Sequence, residues 1–392
     1  MTLQDELRFA QAGKRVSRPP RRWDLVAAWA LILAPLVGLA IWLGLRQRVG
    51  DLEERLVRDA NAAFSRTFER PVHADAPLPG TLGDAVARHL PPIQAWADSV
   101  KDDEPARDVA REIVEGKRPL ARLPAAYARA LADLAPHLDG LLAGTRAAKA
   151  DLPSGREAFV PCDGANWTGY QAAALLVGLR ARRSLAAADA AGAVALCLDG
   201  LALGRDAAIT SGMVGHMAGA AIVKRLAPPC RDALARLSPP ERRTAASRLR
   251  VVRDGFPSVH EMLRVEFLSV ELTAFTRLFH GDARRRLHEG ALAVARSATW
   301  ERPGLGAWWE RWIARDGWRA LRATMDAALA LAGSARGEAL GLGLDELGKE
   351  SIRRINPLAA IAMPNYAKYV GRAEEAVGTL DALINGAPTN AR

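Results

Sequence analysis

Between Asp24 and Arg46 runs LVAAWALILAPLVGLAIWLGL, Leu25 to Leu45, 21 residues with no charged or strongly polar side chain. As a helix rising about 1.5 Å per residue, such a run covers a bilayer hydrocarbon core of roughly 30 Å. Trp23 and Trp42 fall near its ends, where indole rings favour the headgroup region. Pro35, near the middle, is tolerated more readily in a membrane helix than in a soluble one. A soluble helix of this length would carry a polar face. A cleaved signal peptide would have a shorter apolar region, about 7–15 residues, ending in small residues, whereas this run meets Arg46, Gln47 and Arg48. Residues 25–45 therefore read as a transmembrane signal anchor in membrane lipid.

Arg8, Lys14, Arg15, Arg18, Arg21 and Arg22 precede the span, and Arg46, Arg48, Arg55 and Arg58 follow it. The excess before the span places the basic tail 1–24 in the cytoplasm by the positive-inside tendency. Everything after the span is then extracytoplasmic, in the periplasm where a cell has two membranes. Only seven of the 54 basic residues are lysine, and alanine is abundant. The formal charge of +10 thus reads as the codon bias of a GC-rich bacterial genome rather than as a nucleic-acid-binding signature. No nucleic-acid-binding motif accompanies it. The expected location is the bacterial inner membrane.

After the span, Leu52, Leu56, Ala60, Ala63, Phe64 and Phe68 recur at helical spacing, a stalk helix over 46–70. PVHADAPLPG, Pro71 to Gly80, breaks it as a linker, and a second interruption spans Ala150 to Gly164. The expected divisions are an N-terminal helical subdomain, 71–149, and a main helical domain, 150–392. Good helix formers fill the segments, with breaks at Pro228-Pro229, Pro239-Pro240, Asp254 to Pro257, Gly281-Asp282, Pro303 to Gly306 and Asn356-Pro357. Long alternating β-branched stretches are absent. The fold class is all-α, antiparallel hairpins stacked as a solenoid-like or irregular bundle. Helices are expected over Trp167–Ala187, Ala188–Asp206 and Ala208–Leu226. The turn at Asp189–Gly192 resembles that of tetratricopeptide-like arrays, but no strict 34-residue period follows.

Leu185, Asp189, Gly192, Leu196, Gly200, Leu203, Arg205, Asp206, Gly212, Val214, Met217 and Gly219, followed by Glu266 on a later helix, form a pattern of apolar, glycine and charged positions. The pattern resembles one found in uncharacterised bacterial proteins with one N-terminal span and an exported helical domain. The resemblance covers a quarter to a third of the chain and implies architecture only.

Glu266 falls among Met262, Leu263 and Val270 on the expected helix Pro257–Phe279. A carboxylate desolvated there would serve as a general acid of the kind used on glycosidic bonds, or would pair with an arginine of a neighbouring helix. His260-Glu261 begins a zinc-protease motif, but Arg264 stands where the second histidine is required. No metal and no cofactor is expected. Gly212, Gly215 and Gly219 share one helix face, suiting close backbone packing. Phosphate-loop and nucleophile-elbow motifs are missing.

Five of the ten tryptophans, Trp300, Trp308, Trp309, Trp312 and Trp318, cluster beside Arg311 and other arginines. They fit either a core stripe or a platform for sugars or a membrane interface. Cys162, Cys197 and Cys230 allow one disulfide with a thiol left over, or three buried thiols. The reading that results is a membrane-anchored envelope protein whose helical domain binds protein partners or scaffolds them. An anionic cell-wall polymer is a further partner for its basic patches. A glycan or peptidoglycan hydrolase using Glu266, and a cytosol-facing module on anionic lipid, are the alternatives.

Overall fold

The computed structural model describes residues 33–44, 47, 51, 55, 58, 70–74, 76–150, 167–210, 212–268, 322–353 and 366–386. The chain divides into two compact units, Met1–Arg55 and Leu56–Arg392. In the first, residues 33–44 are helical. The large apolar side chains along them, from Leu33 to Leu43 and including Trp42, are between 50% and 58% exposed. Among the described residues no helix is long and apolar enough to cross a membrane. Trp23 and residues 25–32 and 45 of the expected span lie outside the described residues.

The described residues of the second unit are all-α apart from two short strands, and a Pro-rich segment, Arg70 to Pro79, precedes the first long helix. That segment is more than the linker the sequence suggests. Arg70 and His73 are both buried, and the Arg70 N–H donates to the Ala148 carbonyl at 3.1 Å. Strand β1 (Leu78–Thr81) then pairs in parallel with β2 (Ala147–Lys149). The segment is a strap laid along the domain.

Helix α1 (Leu82–Ser99) starts where Thr81 accepts the Asp84 N–H, and α2 (Glu104–Val114) starts where Asp103 accepts the Ala106 N–H. Such caps satisfy donors that the first helical turn leaves unpaired. A 3-10 turn, α3 (Ala125–Asp133) and α4 (Ala135–Gly144) complete the N-terminal part. Next come α5 (Trp167–Ala186), α6 (Ala190–Thr210), α7 (Gly212–Ala235), α8 (Pro239–Asp254) and α9 (259–268). Then follow α10 (322–334), α11 (Gly337–Arg353) and α12 (Tyr366–Asn385).

Helices α5, α6 and α7 each pack against the other two, α1 packs on α4 and α5, and α12 packs on α7 and α8. Residues before 150 and after 167 contribute to one hydrophobic core. Helix α6 is its axis, buried without interruption from Cys197 to Ala208, as a helix apolar on nearly every side must be. Close approach along α7 uses Gly219. A Cβ there would stand 2.3 Å from the Gly204 carbonyl oxygen of α6.

Two sequence expectations are corrected. Pro228-Pro229 does not end a helix, since both prolines lie inside α7, as Pro91-Pro92 lie inside α1. Each tandem pair removes two helical N–H donors at a substantial local cost. In α7 the flanking Leu226, Ala227, Cys230, Ala233 and Leu234 are all buried, so packing holds the helix through the break. The break expected near Ala207 is not there, since α6 runs on to Thr210, and α7 starts at Gly212, whose φ of +43° is one that glycine adopts at low cost. The breaks expected at 281–282, 303–306 and 356–357 lie outside the described residues.

Candidate functional site

Two carboxylates interrupt the apolar run of α6. Asp199 and Asp206 stand seven residues apart, two helical turns, and so share a face. Both are buried, and a buried charge must be paired to persist. Arg146 grips Asp199 with two nitrogens, its Nε donating to Oδ1 at 2.8 Å, and His73 Nε2 lies 2.8 Å from the same oxygen. Asp206 pairs with Arg70 and with Arg205, whose Nε donates to Oδ1 at 2.9 Å. Arg70 also donates to the carbonyls of Gly144 and Ala147 at 2.6 and 3.0 Å, and Arg205 to that of Pro71 at 2.9 Å. Every member of this network touches the strap or the face of α6 beneath it. Its chemistry is that of a fastening.

A cleft of about 300 Å³ opens elsewhere, between the end of α1, α2, α3, α5 and α7. Thr168, Gln171, Ala172 and Leu175 form its floor, at the spacing that aligns residues on one helix face. Trp96 and Tyr127 form an aromatic wall, their rings edge to face at 5.2 Å. The charged lining is Lys101, Arg107, Arg111 and Arg225 against the single carboxylate of Asp98.

Arg107 and Arg111 sit one turn apart on α2 and are partly engaged locally, with Glu104 and Asp108 at 3.2 Å each. Half-buried Arg225, on α7, donates through one terminal nitrogen to the Gln171 carbonyl at 2.8 Å. No carboxylate of the described residues lies within ion-pair distance of it. Burial, and after it the neighbouring charge of Arg111, lowers its affinity for its proton. A guanidinium nonetheless stays charged at any ordinary pH. Burial likewise pushes the Tyr127 hydroxyl upward, leaving it protonated. The lining holds no histidine, cysteine or glutamate. The charged part of the lining is predominantly cationic.

Glu266 lies away from this cleft, on α9. Its Oε2 accepts the Met213 N–H at 2.9 Å in the first turn of α7, a place where a helix end favours negative charge. Burial pushes its carboxyl above the ordinary value, opposed in part by that hydrogen bond. Its hydrogen-bonding partner is thus a helix end rather than the arginine considered from the sequence. The glutamate next to His260 acts as a cap as well, since Glu261 and Ser258 bond each other's backbone N–H groups at 2.8 and 3.2 Å.

Cys197 of α6 and Cys230 of α7 form a disulfide with Cα atoms 5.5 Å apart. Cys162 and Trp308, Trp309, Arg311, Trp312 and Trp318 lie outside the described residues. His216 is buried edge-on against Phe256, its ring nitrogens without partners among the described residues. Burial pulls its pKa down to about 4, so it is a neutral core residue at physiological pH. Among the described residues no group of three or more His, Cys, Asp or Glu side chains could hold a metal ion.

The sequence did not single out the cleft residues. Arg107 and Arg111 carry a visible one-turn spacing, but Arg225 is more than a hundred positions away. Only packing brings it alongside them. Compared with known proteins, the chain matches no family model, no curated protein and no solved structure.

Proposed function

We propose that the chain is a single-pass, membrane-anchored protein of the bacterial envelope whose helical domain lies outside the cytoplasm and binds or scaffolds partner proteins. The observation that carries this reading is the charge-free run Leu25–Leu45. Its described part, 33–44, is a helix whose large apolar side chains are all about half exposed. Exposed apolar surface of that extent is stabilised by a lipid surround. The core disulfide adds support, since such bonds persist in oxidising compartments.

The test is a pair of fusions after Arg392, alkaline phosphatase and a fluorescent protein, with alkaline extraction of membranes. An active phosphatase and retention in the extracted membrane are the expected results. A fluorescent, phosphatase-silent pair would overturn the orientation, and release by alkali would overturn the anchor.

The hydrolase reading keeps one observation in its favour, the raised proton affinity of Glu266. Against it, the carboxylate is engaged at the start of α7. Turnover of peptidoglycan by the wild type and not by Glu266→Gln, with folding unchanged, would favour it.

A further inference from the structure

We infer that the cleft between α1, α2, α5 and α7 is a binding site for the phosphoryl group of a small phosphate monoester, with the group that carries the phosphate lying against Trp96. Four cations face one carboxylate across a space of about 300 Å³, at the low end of small-ligand pockets. Arg107 and Arg111 are already paired with Glu104 and Asp108, so among the described residues the excess rests on Lys101 and Arg225, for which an arriving anion supplies the counter-charge. Three of the four cations are arginines, whose planar forks match phosphate oxygens in pairs.

Arg225 is the central element. Its bond to the Gln171 carbonyl fixes the guanidinium while its remaining N–H groups stay available for a ligand. Partial burial strengthens what those groups donate, because less water competes. Arg107 is held in place through the Lys101 carbonyl at 3.1 Å, so two cations are positioned before any ligand arrives. The edge-to-face contact with Tyr127 fixes the Trp96 ring, and an indole face offers contact to an attached ring or sugar.

A phosphate monoester reaches such a site from two sources, a soluble metabolite or the headgroup of phosphatidic acid. The inference stands on the cleft and not on the anchor proposed above, so failure of the topology test leaves it intact.

The experiment is calorimetric titration of the full chain in phosphatidylcholine nanodiscs, with phenyl phosphate, inorganic phosphate and benzoate as probes. Phenyl phosphate should bind, and Arg225→Gln should weaken it roughly tenfold or more, the loss of one charge-assisted bond pair. Trp96→Leu should weaken phenyl phosphate and leave inorganic phosphate unchanged. Where Arg225→Gln lowers the melting temperature, the exposed Arg111→Gln serves instead, with a loss of about threefold.

Absence of heat from phenyl phosphate at millimolar concentration overturns the proposal. So does benzoate binding as tightly as phenyl phosphate, or wild-type affinity in both arginine variants. Nanodiscs containing phosphatidic acid separate the sources. Weakened phenyl phosphate binding there identifies the lipid headgroup as a ligand, and unchanged binding identifies a soluble one.

Discussion

Glu266 Oε2 sits 2.9 Å from the Met213 nitrogen, so a carboxylate from α9 closes the open end of α7 more than fifty residues earlier in the chain. A Cβ at Gly212 would collide with that same carboxylate oxygen at 2.5 Å. The glycine thus serves both the backbone turn and the approach of the cap. Burial raises the folded-state pKa of Glu266 above its ordinary value. A raised pKa contributes stability below the unfolded value, and that contribution is lost as pH rises through the folded one.

Glu266→Gln should therefore unfold no earlier than wild type at neutral pH, and the two melting curves should converge as pH falls below the ordinary carboxylate range. Glu266→Ala removes the acceptor itself and should lose about 1 kcal/mol, the usual worth of a cap. Thermal unfolding of the three proteins across pH 4 to pH 8 checks both statements. A Gln variant less stable than wild type at neutral pH would mean that charge at the helix end outweighs burial.

Two glycines, Gly219 at the α6–α7 crossing and Gly378 on α12, carry predictions of opposite sign. Gly219→Ala places a methyl group 2.3 Å from backbone, the Gly204 carbonyl oxygen. The crossing must open, at about 1–3 kcal/mol. Gly378→Ala, on α12, meets nothing within 4 Å, and should gain about 1 kcal/mol from helix propensity alone. Denaturant midpoints of the two variants should move in opposite directions from wild type.

What the sequence makes legible here follows a physical rule: features fixed within one or two helical turns can be read, and features made by two distant faces cannot. The all-α class follows from helix-forming composition and apolar periodicity, and helices dominate the described residues. Ser238-Pro-Pro-Glu241 and Ser258-Val-His-Glu261 are both serine-to-glutamate capping signatures, and both form their reciprocal bonds. The second accounts for Glu261, the glutamate beside His260.

The resemblance pattern along α6 and α7 also has local meaning. Asp189 accepts the Gly192 N–H at 2.8 Å, Arg205 and Asp206 hold the strap, and Gly219 makes the crossing. Pro228-Pro229 misled because local cost was weighed without the buried faces on either side of it. The cleft as a whole gave no signal, because Arg225 of α7 is brought beside Lys101, Arg107 and Arg111 by packing alone. The two aspartates within the buried run of α6 did give one: carboxylates there require cationic partners, even though the sequence cannot say which.

The disulfide offers a prediction on stability. Cys197 and Cys230 are 33 residues apart, so the bond closes a loop whose unfolded-state entropy loss corresponds to about 3–4 kcal/mol in the chain-entropy account. Both cysteines are buried, which excludes reductant from the native protein. Reduction should therefore be slow in buffer and fast in mild denaturant. Once reduced, the domain should show a clearly lower denaturant midpoint. An unchanged midpoint after complete reduction would show that α6 and α7 are held by packing alone.

Arg70 is, with His73, one of the two buried anchors of the strap. Its guanidinium pairs with Asp206, both side chains 2% exposed, and donates to two carbonyls beside β2. Removing one partner of a buried pair leaves the other charged and poorly solvated, at about 3–5 kcal/mol. Arg205 still faces Asp206, which places Arg70→Ala toward the lower end of that range. Asp206→Asn is harsher, because it leaves two buried arginines without their shared carboxylate.

Arg70→Ala should also expose the strap locally. Limited proteolysis should cut between residues 70 and 80 well before the helices, and amide exchange at Arg70 and Leu78, whose N–H groups donate to Ala148 and Arg146, should quicken ahead of the core. Uniform exchange across both regions would mean that the strap and the bundle unfold as one unit.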